Sequence, residues 1–454
     1  MRVFRPLAAL LVHWRALVKS DRSFLRLVHV LVGMICAEGR HTVTGSIRFR
    51  RRDQGPWSAD YAAFSRAGWD PARLFDVVLA AGVSRAEGVA PGAAVVIAID
   101  DTAVKKSSRV ISAARWMKDP LSPPFNVNLQ LGLRFFHSAL ILPLHQVGFA
   151  PRAVSIGFEL APSPRKPRRK APPDEWAAFR QAQKAQGLPM RAAAAIKAHR
   201  KQLDDIGLPD RDILIVGDGG YTNGTLLRAL PERTEFVGRT RKDIALFRPA
   251  PPGGRRVYGE RLATPDGIRQ DEGIPYVSAP LFYGGATRDV RFKDVPGVLW
   301  PGGTKRRLMR LIIIAPTPYT AEGRSERKFR YNQPGYLLTT DSRSPATTLV
   351  QAVLDRWQIE PLHRDLKTGL GVGHAQNWND NAVARVHTAM VATWSLVTLA
   401  ALDAFGLARS AAFGPLPAWR KVRANHRASQ DDILQVLRAE LLGAFENREQ
   451  LRRV

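Results

Sequence analysis

Two short apolar runs, VVIAID at 95–100 and ILIVGD at 213–218, constrain the fold of this chain more than any other feature. Each is bounded by turn signals, the pattern of a buried strand, and each ends on an aspartate. An acid that closes a single buried strand is ordinarily a turn or helix-cap residue. Two such strands in one sheet are a stronger signal, because neighbouring strand ends bring their carboxylates close together, where they repel unless a cation lies between them. Oxygen ligands of this kind suit Mg²⁺ or Mn²⁺. A pair of such ions, about 3.5–4 Å apart, stabilises both the attacking and the leaving oxygen in phosphodiester cleavage.

Further strands are expected at LGLRFFHSALIL and VSIGFELA, before the second run, and at TEFVGRT after it. A basic linker, APSPRKPRRKAPPDE, leads into a helix expected over about 175–206. Strands, helix, strand, helix, strand in this order predict a mixed α/β sheet covered by helices. Five segments follow from the texture of the chain. Residues 1–90 form a basic helical module for DNA binding; 91–240 the first part of the α/β core; 241–335 a β-rich insertion containing RRLMRLIIIAP and GYLLTT; 336–405 the returning core helices; and 406–454 a helical C-terminal region. No internal repeat is visible.

Composition narrows the function. With 454 residues and 45% hydrophobic content the chain has enough apolar material for a large core. Its 68 Lys and Arg against 40 Asp and Glu give a formal charge of +28, which repels itself unless a polyanion is near. Ten tryptophans in so basic a chain favour an enzyme acting on nucleic acid over a ribosomal or chromatin protein. The single cysteine, Cys36, excludes an internal disulfide and argues against cysteine-ligated zinc. The N-terminal apolar run is interrupted by Arg5, Pro6, His13 and Arg15 and does not read as a signal peptide. The stretch 388–402 is shorter than the roughly 20 residues of a membrane span and reads as a buried helix. A cytoplasmic, nucleoid-associated protein without a membrane or small-molecule cofactor is therefore expected. His137, His145, His363, His374 and His387 show no metal-binding spacing, and PGGTKRR and GDGGY lack the order of a nucleotide-binding loop. Arg48, Arg50, Arg51 and Arg52, beside Thr42 and Thr44, are candidates for phosphate contact, as are Arg239, Arg241 and Lys242 beyond the strand that follows Asp218. A solvated basic loop is the alternative at both places.

The tract RWQIEPLHRDLKTGLG at 356–371 adds a third acid. On one straight helix Arg356, Glu360 and Lys367 lie within about 40° of each other, and Asp365 about 140° from Glu360. A glutamate between two bases is by itself a surface ion pair. Beside two strand-end acids it also suits a metal-binding carboxylate with cations set against phosphates. The residues alone leave Asp100 and Asp101 open as the first acid.

The spacing of Arg356, Glu360 and Lys367 resembles the Tyr-Arg-Glu-Lys signature of bacterial insertion-sequence transposases in the DDE superfamily. AIDDTAVKK is similar to that family's first aspartate element and VGDGGYTN to its second, in the same order, and the resemblance covers about residues 90–400. It implies a ribonuclease H-like mixed sheet flanked by helices, with an inserted β-rich subdomain and helical N- and C-terminal parts. It carries the metal-binding acids to Asp100, Asp218 and Glu360, and the accessory bases to Arg356 and Lys367. Asp100 is preferred to Asp101 because the family's first acid stands two residues before a Thr, here Thr102. The signature Tyr falls at Val353, and Pro361 follows Glu360 where a helix interior is expected and a hydrogen bond would be lost. Trp300 stands where some relatives use a tryptophan in a hairpin step; an ordinary packed tryptophan is the alternative. The implied activity is cleavage of double-stranded DNA at transposon inverted-repeat ends and strand transfer into target DNA, with two Mg²⁺ or Mn²⁺ ions, by a homodimer. A transposase-derived DNA-binding protein without activity and a stand-alone nuclease are the competing classes.

Overall fold

The computed structural model describes residues 2–119, 122, 123, 125–319, 329, 330, 333–416, 418, 419 and 427–451. Parts of the expected 241–335 insertion and of the 406–454 region lie outside them. The chain opens with helices α1 (Phe4–Leu11), α2 (Asp21–Cys36), α3 (Val43–Phe49), α4 (Ser58–Ser65) and α5 (Leu74–Val89). Strands β1 (Val95–Lys105), β2 (Arg115–Lys118), β3 (Leu129–Leu142) and β4 (Arg152–Leu160) follow. Next come α6 (Pro173–Ala185), α7 (Leu188–Asp205), β5 (Ile213–Gly217), α8 (Gly224–Leu227) and β6 (Thr234–Arg239). Short strands β7 (Phe247–Pro249) and β8 (Tyr258–Arg261) and helix α9 (Pro265–Gln270) precede β9 (Val277–Tyr283), β10 (Ala286–Val298) and β11 (Met309–Ile314). After β12 (Pro318–Tyr319), β13 (Phe329–Arg330) and β14 (Gly335–Thr339), the chain ends in α10 (Ala346–Arg356), α11 (Ile359–Arg364), α12 (Asp380–Phe405) and α13 (Gln430–Leu451). The result is an α/β protein with a large mixed sheet flanked by helices.

Two compact units divide it: Met1–Val89, Asp101–Phe179 and Ile359–Val454 in the first, Ala90–Asp100 and Arg180–Gln358 in the second. β1 contributes its start to the second unit and its end to the first.

In the first unit β3 is hydrogen-bonded to β1, β2 and β4. Buried Thr388 to Ala401 make α12 the core helix, packed against β4, α1, α2 and α5. Asn379 caps it, its side-chain oxygen accepting from the Ala382 N–H at 3.0 Å. Among the described residues α12 is the one helix long and apolar enough to cross a membrane, yet its apolar stretch is mostly buried within the protein. The helices of residues 1–90 pack on this same core rather than standing apart.

In the second unit β5 lies parallel between β1 and β6, and the order continues β6-β14-β11-β10-β9 with antiparallel pairing. The insertion's long strands thus extend the sheet that β5 and β6 begin. Leu214, Val216, Val237, Ile312 and Leu337 of this sheet bury Leu349 and Val350 of α10. Each such side chain, fully buried, contributes about 1.5–3 kcal/mol, so α10 is firmly seated. The helix expected over 175–206 is two helices, broken at Gln186–Gly187, where Pro189 then occupies the first turn of α7.

Candidate active site

β1 and β5 pair in parallel from Val95 with Ile213 to Ala98 with Val216. β1 runs on through Asp100 to Lys105, and Asp218 directly follows the end of β5, so the two aspartates are carried by adjacent strands of one sheet, which lie about 4.8 Å apart. β5 is buried throughout and stops because the chain turns at Asp218–Gly219–Gly220. The Gly220 N–H donates to Asp218 Oδ1 at 2.9 Å, and the Thr222 hydroxyl donates to the Asp218 carbonyl at 3.3 Å. The first bond orients the carboxylate and the second holds the turn's backbone. Asp218 Oδ2 has no partner among the described residues.

Arg356 ends α10, and its Nη1 lies 3.8 Å from Asp100 Oδ2, with the guanidinium largely buried. A cation at a helix C-terminus is favoured by the helix dipole, and here it also offsets the Asp100 charge. Asp101, one residue on, turns the other way: Arg134 Nε on β3 donates to its Oδ2 at 2.8 Å. The two acids that the residues left open therefore have different arginines and different faces. Val353, at the place of the signature Tyr, packs against the hydrophobic core of the second unit.

The single helical stripe expected for Arg356, Glu360 and Lys367 does not form. α10 ends at Arg356, Trp357 and Gln358 make a turn, α11 starts at Ile359, and Asp365–Gly369 is a π-helical turn. Rotation at 100° per residue cannot be carried across such breaks. Pro361 is accommodated by the same break: it stands in the first turn of α11, where its missing N–H had no helical acceptor to lose. Asp100, Asp218 and Arg356 belong to the second unit, and Glu360 and Lys367 to the first. Among the described residues no three His, Cys, Asp or Glu side chains form a group able to hold a metal.

Asp365, set about 140° from Glu360 on a straight helix and so away from its stripe, is half-buried beside Arg364 at 3.6 Å. Burial raises its carboxyl above the usual range, opposed by Arg364, Arg427 and Arg152. These bases are tied down in turn, Arg152 to the Ala428 carbonyl at 2.7 Å and Arg427 to the Pro151 carbonyl at 2.9 Å. Asp365 is thus a structural anion in a basic cluster.

Of the candidate DNA-contacting residues, Arg48, Arg51 and Arg52 are exposed. Arg50 turns inward. Its Nη2 donates to Asp60 Oδ2 at 2.5 Å, with the two side chains 8% and 3% exposed, which withdraws it from any phosphate. Arg239 and Lys242 are exposed, and Arg241 is paired with Asp243 at 2.6 Å. Trp300 is partly buried and its ring lies on the Gly302–Gly303 turn, where a Cβ at Gly303 would stand 2.0 Å from ring atom Cε3. That turn requires glycine. Sequence reasoning missed two buried polar pairs. His137 shares a 2.8 Å hydrogen bond with His363 on α11 and a 2.9 Å bond with Ser155. Lys106 Nζ donates to His387 Nε2 at 2.8 Å and to the Ala375 carbonyl at 2.6 Å. Only spatial proximity reveals such partners, since more than two hundred residues separate them in sequence.

A central strand that carries Asp100 midway along it, where the sequence led one to expect its end, beside a parallel strand whose chain turns at Asp218, within a mixed sheet flanked by helices, is the arrangement of a ribonuclease H-like core. Residues 18–280 match the DDE superfamily endonuclease family and residues 188–395 match the transposase DDE domain. The chain belongs to the DDE superfamily endonucleases, whose role is that of a DNA transposase or endonuclease. It matches no curated protein.

Proposed function

We propose that the chain is a transposase of insertion-sequence type that cuts DNA at the inverted-repeat ends of its element and transfers the freed 3′ end to target DNA, acting as a homodimer. What supports this reading is the parallel pairing of β1 with β5, the strands that carry and lead to Asp100 and Asp218, with Arg356 close to Asp100. The donors fit a hard divalent cation: they are carboxylate oxygens, and Asp218 Oδ2 is uncommitted among the described residues. Asp100, Asp218 and Glu360 would hold Mg²⁺ or Mn²⁺, which when bound, as two ions, supplies charge stabilisation at the attacked phosphodiester. Arg356 orients Asp100 and offsets its charge. Lys367, Arg239 and Lys242 supply positive charge for DNA phosphates, as do Arg48, Arg51 and Arg52. Hydrolysis forms a bond from water oxygen to phosphorus and breaks the P–O3′ bond, leaving a 3′-hydroxyl. That hydroxyl then attacks a phosphodiester of the target, forming one P–O bond and releasing another 3′-hydroxyl, so no outside energy source is needed.

Incubating purified protein with end-bearing duplex, in Mg²⁺ or in EDTA, tests this. Nicking in Mg²⁺ and none in EDTA is expected. Equal nicking in both would overturn the metal-dependent reading.

A further inference from the structure

Arg48 and Arg51, read above only as phosphate contacts, line a basic cleft of about 680 Å³ in the first unit. It opens between α3 and residues 374–377, which follow the π-helical turn. Arg40, Arg48 and Arg51 line it against one carboxylate, Glu38. Among the described residues Arg40 and Arg48 have no ion-pair partner, so the cleft carries unmatched positive charge.

The far wall is held in place from behind. Lys106, 3% exposed, donates from Nζ to the Gly373 carbonyl at 3.2 Å as well as to Ala375. Gln376 Oε1 accepts from the Ser107 N–H at 3.3 Å and from its hydroxyl at 3.2 Å. His374 Nδ1 accepts the His41 N–H at 3.2 Å, which places the ring proton on Nε2. Burial, with the charges of Arg40 and Lys106, lowers the His374 pKa, so at neutral pH that ring offers a neutral donor. A wall so anchored is preformed, and binding there does not have to order it.

Large aromatics stand in water at both lips. On one side Tyr61 lines the cleft, and Trp57, 56% exposed, meets it edge-on at 5.8 Å. On the other, Trp378 is 64% exposed and directly follows the lining residue Asn377. Unpaired arginines between exposed tryptophans combine the two features by which proteins hold single-stranded nucleic acid: cations along the backbone and ring faces for the bases. The volume lies within the roughly 300–1,000 Å³ of small-ligand sites, enough for a nucleotide or two and too little for a duplex.

We propose that this cleft binds an unpaired stretch of DNA, with bases stacked on Trp378 and on the Trp57–Tyr61 pair and phosphates held by Arg40 and Arg48. The proposal rests on the DNA-directed reading above and adds the strand state that the protein recognises. Cutting one strand of a duplex creates an end able to leave its partner, and this cleft would receive such an end.

The test uses the full chain, a labelled short oligothymidylate and a labelled blunt duplex, with binding followed by anisotropy and by intrinsic tryptophan fluorescence. Oligothymidylate should bind and quench tryptophan emission. Trp378→Ala and Trp57→Ala should each weaken its binding by about tenfold, the order of one base–aromatic stack. Trp378→Phe should restore most of the loss, and duplex binding should change by less than about twofold. Arg40→Ala with Arg48→Ala should reduce the salt slope for oligothymidylate by about 1.4, or 0.7 for each phosphate. These side chains border open solvent, so the variants should melt with wild-type protein. Oligothymidylate binding unchanged in the tryptophan variants, or an equal loss for duplex, overturns the proposal. If wild-type protein cuts duplex ends while either of these results holds, the cleft assignment alone falls; if it binds neither DNA, the transposase reading falls with it.

Discussion

Lowering the pH from 6.5 to about 5 should remove about 2 kcal/mol of stability through His387 alone. This side chain is fully buried on α12, where its Nδ1–H donates to the Val383 carbonyl at 2.6 Å and its Nε2 accepts from Lys106. Burial first, and the Lys106 charge second, push the imidazole from 6.5 down to about 3. Between those values the unfolded chain takes up a proton that the folded protein refuses. Stability is therefore full above 6.5 and falls as the pH drops toward 3. One and a half pH units at about 1.4 kcal/mol each make the loss about 2 kcal/mol by pH 5. His387→Gln isolates this contribution, since the amide oxygen still accepts from Lys106 but does not titrate. Urea midpoints of both proteins, followed by circular dichroism across this range, give the comparison. Any stability gap in favour of wild type at pH 7 should shrink by about 2 kcal/mol at pH 5. Parallel pH curves for the two proteins would refute the assignment of His387 as a buried neutral acceptor.

Asp100→Asn should lower single-turnover cleavage by more than about a hundredfold, beyond what loss of an outer-shell partner costs, while Asp101→Asn should stay within about tenfold, because its partly exposed pair with Arg134 contributes at most about 1 kcal/mol. The reverse order would exchange the two residues. Arg50→Ala should destabilise by about 3 kcal/mol in denaturant titrations, since Asp60 is left buried with only Arg26 at 3.6 Å; Arg48→Ala should change stability by less than about 0.5 kcal/mol. Glu360→Gln should abolish cleavage without lowering the melting temperature, whereas Asp365→Asn, which removes a carboxylate whose ionised form burial disfavours, should lower stability by no more than about 0.5 kcal/mol and leave cleavage near wild type.

What the sequence made legible was local. Continuous apolar runs marked β1, β3, β4 and β5 because strands buried on both faces need apolar residues at nearly every position. The glycines after Asp218 marked the end of β5. Pairing partners were less legible: nothing within GYLLTT says that it lies beside TEFVGR, yet Leu338 is registered with Gly238. β2, only four residues long with alternating exposure, left too weak a pattern to find. The inward turn of Arg50 was hidden for a related reason. A cluster of four arginines within five residues has one composition whether its members face water or a buried aspartate ten positions away.

The break between α10 and α11 shows where periodicity fails as a guide to a site. Arg356 and Glu360 are four residues apart, a separation that on an unbroken helix places two side chains on one face. The chain instead ends one helix at the arginine and starts another just before the glutamate, and Pro361 suits the second start as well as it would spoil a continuous helix. The proline was therefore the sequence signal of the break. With the helices separate, the orientation of Glu360 is set by what α11 packs on, and α11 lies against β4, with His363 tied to His137 on β3. Asp100, in contrast, owes its place to the strand register with β5. The acids named from one linear pattern thus depend on two different sets of packing contacts, and a substitution that weakens one set should leave the other carboxylate where it is.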